Sequence, residues 1–493
     1  MRTNTIGLRW LVLFLSVASL AAAANDGRLV EAVKKRDTAA VRALLKQHVD
    51  VNAPQPDGAT ALHWAAQWDD LDTATLLIRA GARVNAADDY GVTPLSLACT
   101  NGNASMVETL LQAGANPNAA LPTGETALMT AARTGKVDAV KALLARGANL
   151  NAKETSSGQT ALMWAAAEGV PEVVQVVIEH GADVHARSTA GFTPLLFAAR
   201  VGDLKTTRTL LDAGATVNEA AANGTTALVV ATIRGHTAFA EFLLDQGADP
   251  NAGPGFTPLH WAAGDWDRLA GDTTGIQPEE NEWSAFRGLR GDAKLSFVKA
   301  LLAHGANPNA RAATNPRSEG GNHGGVLAGG TPFLMAAIAG DVRVMRTLLA
   351  SGADPQLATA RQTTPLMMAA GMSMPYGPPV PESNALEAVK LCLEVGNDIN
   401  AANANGETPL HAAAYRGLEG ANSIVQFLVD HGARINAKNK RGWTPLTIAE
   451  GIFFLGGAGG SASPSTAELL RKLGADPSPP DIERDESVPL PRQ

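Results

Sequence analysis

The 493-residue sequence predicts an all-α solenoid of about twelve stacked helix-turn-helix units with short β-turn fingers. Three observations carry this expectation. The tripeptide Thr-(Pro/Ala)-(Leu/Phe) begins at Thr60, Thr93, Thr126, Thr160, Thr193, Thr226, Thr257, Thr331, Thr364, Thr408 and Thr444, and its first five steps are 33 or 34 residues. A glycine, mostly followed by Ala, recurs in register at Gly81, Gly114, Gly147, Gly181, Gly214, Gly247, Gly305, Gly352, Gly396, Gly432 and Gly474. Aromatic residues make up 5 % of a chain that is 45 % hydrophobic, so the core is built from Ala, Leu and Val.

Residues 1–24 read as an export leader. Arg2 and Arg9 supply a positive start, Trp10 to Leu20 an apolar stretch, and Ala22 with Ala24 a small-x-small site. Cleavage is expected after Ala24, which places the mature chain in the periplasm or outside the cell. The apolar run is short for a bilayer span, and no later segment is long and apolar enough to make one. The short leader and the two cysteines fit a bacterial source.

One unit is legible in residues 91–123. Thr93 is a good N-cap, and Pro94 suits the first helical position, whose N–H has no partner in any case. Leu95, Leu97 and Ala98 give a short apolar helix ending near Gly102. A second helix runs from Ala104 to Ala113 with Met106, Val107, Leu110 and Leu111 on one face. Gly114 ends it in the left-handed region, and the residues up to Thr123 form an extended turn. One such unit cannot bury its apolar face alone, so the units must stack.

These residues resemble the ankyrin-repeat family. The Thr-Pro-Leu-His form stands at Thr257–His260 and Thr408–His411, with a close variant at Thr60–His63. The family's Gly-Ala-Asp-x-Asn-Ala tail stands at Gly247–Ala252. The resemblance covers about residues 27–477 and implies an ankyrin-repeat solenoid that binds another protein. It also implies that His63, His260 and His411 help to fix turn geometry. The first repeat, 27–57, lacks the Thr motif and has His48 in place of the glycine, as a capping repeat would.

The repeats divide into a regular stretch, 27–254, and an elaborated one, 255–477, followed by a Pro-rich, charged tail at 478–493 that reads as disordered. The elaborated stretch holds inserts near 265–292, 312–328, 372–379 and 452–465. Three of them fall between the two helices of repeats eight, ten and twelve, so they share one edge of a solenoid. They bring Trp266, Trp283, Phe286, Tyr376, Phe453 and Phe454 to that edge as candidate partner-binding residues.

In the ankyrin family, partners meet a concave face built from turn tips and from the residues just after the Ala-Ala of the first helix. By register this implies Gln67, Trp68, Arg133, Arg200, Arg234, Tyr415 and Arg416, with Tyr90 at a turn tip. Arginine and aromatic residues dominate binding hot spots, and this set implies a partner with acidic groups. Trp64, Trp164 and Trp261 share one register and are expected to pack between units, each indole N–H finding a partner.

Catalytic chemistry is not evident. No Gly-x-x-x-x-Gly-Lys-(Ser/Thr) loop, Gly-x-Ser-x-Gly elbow or His-Glu-x-x-His helix occurs. Cys99 and Cys392 lie seven repeats apart and read as separate buried thiols, so a Cys-rich zinc site is excluded. His180, His304 and His431 precede the terminal glycines and read as helix C-terminal groups. The net charge is −8, or −10 without the leader, which argues against a sequence-independent grip on nucleic acid. The expectation is a monomeric, non-enzymatic scaffold with no cofactor, no metal, no nucleic acid and no membrane span after cleavage. Two alternatives stay open: a structural envelope spacer, or a hydrolase using acidic residues such as Glu279 and Glu280 of the repeat-eight insert as paired carboxylates.

Overall fold

The structure, a computed structural model, describes residues 27–265, 289–313, 327–372, 380–416, 421–451 and 462–477, with the backbone of 454–455 and 458–459. Trp266, Trp283, Phe286, Tyr376 and Phe453 lie outside the described residues, as does the Phe454 side chain. Contacts divide the chain into two compact units, Met1–Thr216 and Val217–Gln493.

Among the described residues, the first unit contains six helix pairs. They are α1 Arg28–Lys34 with α2 Thr38–Lys46, α3 Ala61–Gln67 with α4 Leu71–Arg79, α5 Pro94–Asn101 with α6 Ala104–Gln112, α7 Ala127–Arg133 with α8 Val137–Ala145, α9 Ala161–Ala167 with α10 Pro171–Glu179, and α11 Pro194–Val201 with α12 Leu204–Asp212. The second unit has α13 Ala227–Arg234 with α14 Thr237–Asp245, α15 Pro258–Ala263 with α16 Gly291–Ala303, and α17 Pro332–Ala339 with α18 Val342–Ala350. It continues with α19 Pro365–Met367 and a π turn, Met368–Met372, before α20 Glu382–Glu394. The last two pairs are α21 Pro409–Ala414 with α22 Asn422–Asp430 and α23 Pro445–Ala449 with α24 Pro464–Lys472. A two-residue antiparallel ladder pairs Phe454 with Gly459 and Leu455 with Ala458. No described helix is long and apolar enough to cross a membrane.

The recurring markers are backbone devices. The Thr93 hydroxyl accepts the N–H of Ser96 at 3.2 Å, and Thr126 does the same for Met129 at 3.3 Å. Several second helices start on aspartate: Asp70 accepts from Thr73 N–H at 3.0 Å and Asp203 from Thr206 N–H at 2.8 Å. Gly114 ends α6 at φ 91°, a conformation that L side chains rarely adopt. In the first repeat His48 takes that position at φ 56°. Behind these caps, Leu62, Leu77, Leu95, Leu110 and Leu128 are fully buried, and the Ala residues between them let neighbouring helices approach closely.

Most fingers close on themselves, and several are bonded tip to tip. Leu121 N–H donates to Glu125 O at 2.9 Å, and Ala120 bridges Thr126. Tip-to-tip bonds follow, from Asp89 N–H to Asp57 O at 2.9 Å and from Thr155 N–H to Thr123 O at 2.8 Å.

A side-chain ladder runs along the finger bases. Asn85 donates to Gly114 O at 2.9 Å and accepts Asn116 N–H at 2.7 Å. Asn118 repeats this with Gly147 O and Asn149 N–H, and Asn251 with Gly305 O and Asn307 N–H. A carboxamide is the side chain that both donates and accepts here, which explains the Asn in the Gly-Ala-Asp-x-Asn-Ala tail. Gln356 stands at this register with one more methylene and reaches Val395 O instead.

Repeats eight and ten depart from the common pattern. Their second helices, α16 and α20, have 13 residues each, where α18 between them has nine. The repeat-eight insert therefore stops short of 292, because α16 already begins at Gly291. Edges of neighbouring repeats join where second helices begin. Glu382 accepts Ser423 N–H at 2.6 Å, and Thr466 donates to Asn422 Oδ1 at 3.1 Å.

Candidate interaction surfaces

Histidines of the Thr-Pro-Leu-His motif are structural clamps. His63 Nδ1 accepts the Thr60 N–H at 3.1 Å, so the proton sits on Nε2, which donates to Val92 O of the next finger at 3.0 Å. His260 links Thr257 to Gly330 O at 3.2 Å, and His411 links Thr408 to Trp443 O at 3.0 Å. Burial pushes His260 down to about 4 and holds His63 and His411 below the usual histidine value. His180 and His431 fold back through Nδ1 onto the carbonyls of Val176 and Phe427, at 2.8 and 2.7 Å. Cys99 and Cys392 are free and buried, and burial pushes both thiols up to about 12.

In the first unit, the ends of the first helices present aromatic and basic side chains, with Asp69 and Glu168 exposed among them. Trp68 is 40 % exposed, with its ring 6.0 Å from that of Trp64. The Arg36 guanidinium lies 5.3 Å from the Trp68 ring, and the Lys34 ammonium 4.5 Å from the Trp64 ring. Arg133 is exposed and sits 5.7 Å from the Trp164 ring of the following repeat. Arg200 is half-buried and donates to Ala167 O at 3.4 Å, while Asn101 donates to Ala66 O at 3.0 Å. Residues on this strip thus also cap the preceding repeat's first helix. Tyr90 stands at a finger tip, 72 % exposed.

Two candidates of the second unit are corrected. Tyr415 and Arg416 are buried, not surface residues. Helix α21 is short, and its end turns inward. The Tyr415 hydroxyl donates to Glu407 Oε1 at 2.8 Å, and burial, reinforced by Glu407, raises its pKa. Arg416 donates to Val380 O at 2.6 Å, with its stem against Gly371. Arg234 is half-buried at the end of α13.

The expected indole partners are found only in part. Trp64 Nε1 donates to Gln55 at 2.9 Å, but Trp164 Nε1 is buried without an acceptor. Glu154 stands where Gln55 does: each N–H closes its finger, onto Gln159 O and Ala59 O respectively. The Glu154 carboxylate is turned into its own finger, accepting the N–H groups of Ser156, Ser157 and Gln159. Burial raises its pKa, but these hydrogen bonds outweigh that and leave it below the usual carboxylate value.

A cleft of about 810 Å³ opens in the second unit, walled by the first turns of α16 and α20 and floored by Gly340–Arg343. Lys294 lines it, 4 % exposed, with Nζ 3.3 Å from Asp341 Oδ2. Burial draws the Lys294 ammonium below the ordinary lysine value, with Asp341 and Asp265 opposing. The sequence reading missed this cleft, because the first turn of α16 lies in what read as loop. Among the described residues, no group of three or more His, Cys, Asp or Glu side chains gathers as a metal ion would require.

No curated protein matches the chain. A crystal structure of the human ASB11 ankyrin repeat domain is 28 % identical, with a TM-score of 0.41, covering 45 % of this chain and 98 % of that one. The family profile described as ankyrin repeats (3 copies) matches residues 29–120, 114–188, 195–267 and 381–479, and the single ankyrin repeat profile matches 328–360. These profiles cover most of the twelve helix pairs among the described residues, and the chain belongs to the ankyrin-repeat family.

Proposed function

We propose that this chain is an exported, non-enzymatic scaffold of the periplasm or cell exterior that holds another protein on the first-helix edge of its first unit. Ankyrin repeats are protein–protein interaction units, and the observation that supports this edge is Trp68. It is a large aromatic side chain left 40 % exposed and flanked by Arg36. Trp and Arg are the residue types that anchor protein interfaces. Arg133, exposed at the matching end of α7, is a second arginine at these helix ends, and the pair Arg36 and Arg133 would suit acidic groups on the partner. The leader-like residues 1–24 support export.

Two measurements test the reading. Amino-terminal sequencing of the protein recovered from its host should start at Asn25, whereas an intact Met1 would overturn export. Once a captured partner is purified, Trp68→Ala combined with Arg36→Glu should weaken its binding at least about tenfold, the loss of one hot-spot contact. Unchanged affinity overturns the docking edge. Activity on a hydrolase substrate panel that disappears with Glu279→Gln and Glu280→Gln would overturn the non-enzymatic reading.

A further inference from the structure

The tip-to-tip bonds between fingers keep one register. Each donor N–H stands eight residues after the marker glycine of its repeat: Asp89 after Gly81, Thr155 after Gly147, Ala360 after Gly352, Ala404 after Gly396 and Lys440 after Gly432. The acceptor is a tip carbonyl of the preceding finger. Asp57 O, Arg361 O and Asn405 O serve in this way, each just before a residue of positive φ, Gly58, Gln362 and Gly406.

The last described finger, 434–443, leaves this ladder open. Its matching carbonyl, Arg441 O, stands before Gly442 at φ 76° and accepts no hydrogen bond among the described residues. Around it Lys438, Lys440 and Arg441 are exposed, and none of the three is ion-paired with a described carboxylate. The Arg441 guanidinium lies 4.9 Å from the Trp443 ring of the same finger. An open row of backbone groups is a template for another extended segment, and cations without counter-charges select an acidic one.

The chain itself arrives at this edge. After α24, Gly474-Ala475-Asp476-Pro477 repeats the Gly247-Ala248-Asp249-Pro250 sequence that opens an earlier finger. Gly474 has φ 96°, and the Asp476 N–H donates to Asn436 Oδ1 at 2.9 Å, the base link that Asn149 makes to Asn118. The described chain therefore ends at Pro477, at the base of the finger that carries these cations. The residue eight after Gly474 is Ile482, and it follows Asp476 by six residues, as Lys440 follows Arg434. Asp481 and Glu483 flank it, and Asp485 and Glu486 come next. We propose that this acidic segment, Asp481–Glu486, which lies outside the described residues, docks on the open edge of the last finger. Ile482 N–H donates to Arg441 O, and the flanking carboxylates face Lys438, Lys440 and Arg441. Docked there, the segment keeps acidic strands of other proteins off this edge, which is separate from the docking edge of the first unit.

The test is hydrogen exchange of the full chain, read by mass spectrometry on the fragments that cover 478–486. Their amides should exchange at least about fivefold more slowly than in a synthetic peptide of residues 477–493. Ile482→Pro removes the donor to Arg441 O and should return the remaining amides of the segment to the free-peptide rate. Lys438→Glu, Lys440→Glu and Arg441→Glu together should do the same, while residues 398–416 keep the parent's protection and so report a folded array. If the triple variant does not fold, Ile482→Pro decides alone. The proposal is overturned if the parent segment exchanges like the free peptide, or if either folded variant keeps the parent's protection there. It is also overturned if the protection falls on dilution, which would assign the edge to the acidic segment of a second copy.

Discussion

His63 Nε2 donates across a repeat boundary to Val92 O at 3.0 Å, which requires the ring to be neutral with its proton on that nitrogen. The same geometry recurs at His260, where burial lowers the pKa from 6.5 to about 4. A histidine with a depressed folded value binds fewer protons folded than unfolded. Its stabilisation is complete above about 6.5 and is lost as the pH falls from there towards about 4. For His260 the full effect is on the order of 3 kcal/mol. Urea midpoints measured across this window should fall with acidification, and His260→Gln should flatten that slope. A slope identical to the parent's would count against the clamp.

Asn118 supplies a donor to Gly147 O at 3.1 Å and an acceptor to Asn149 N–H. Asn118→Ala removes both links at one repeat boundary and should destabilise the first unit by about 1–2 kcal/mol. Asn118→Asp should be worse than Ala, because it sets a carboxylate oxygen against the Gly147 carbonyl. Denaturant unfolding of the two variants gives the order directly.

Gly371 lies at φ 134°, and a Cβ there would meet Arg416 Cγ at 2.7 Å and Ala412 O at 2.8 Å. Gly371→Ala should therefore destabilise the protein by about 1–3 kcal/mol, instead of giving the gain usual for Gly→Ala at a compatible site. A raised melting temperature would contradict the packing of Arg416 described above.

Both cysteines should be silent towards thiol reagents in the native protein. With each thiol pushed up to about 12, almost no thiolate exists at neutral pH. Alkylation followed by mass spectrometry should label neither Cys99 nor Cys392 natively and both in denaturant. Rapid native labelling of either residue would show that its repeat opens.

Most of this architecture was legible because Thr93 and Gly114 mark backbone requirements, an N-cap and a positive φ, that any repeat of this kind must meet. The asparagine ladder was legible too but went unread: Asn85, Asn118 and Asn251 each follow a marker glycine by four residues. Tyr415 and Arg416 could not be placed by register. Their burial depends on the Glu407 carboxylate and on the bulged turn at Gly371, which no single repeat contains. Lys294 was hidden for a related reason. Its cleft exists only as a difference in length between three successive helices.

The links across repeat boundaries run in both directions. At the finger bases Asn85 and Asn118 reach forward, whereas at the helix ends Asn101 and Arg200 reach back. Because the Asn side chain and the Gly carbonyl it meets recur with the repeat, deleting or duplicating one whole repeat next to them re-forms the forward links at the new junction. A half-repeat change would strand them on opposite sides. Length changes by whole repeats should therefore be tolerated in this stretch where half-repeat changes are not, and melting temperatures of the two kinds of deletion variant measure the difference.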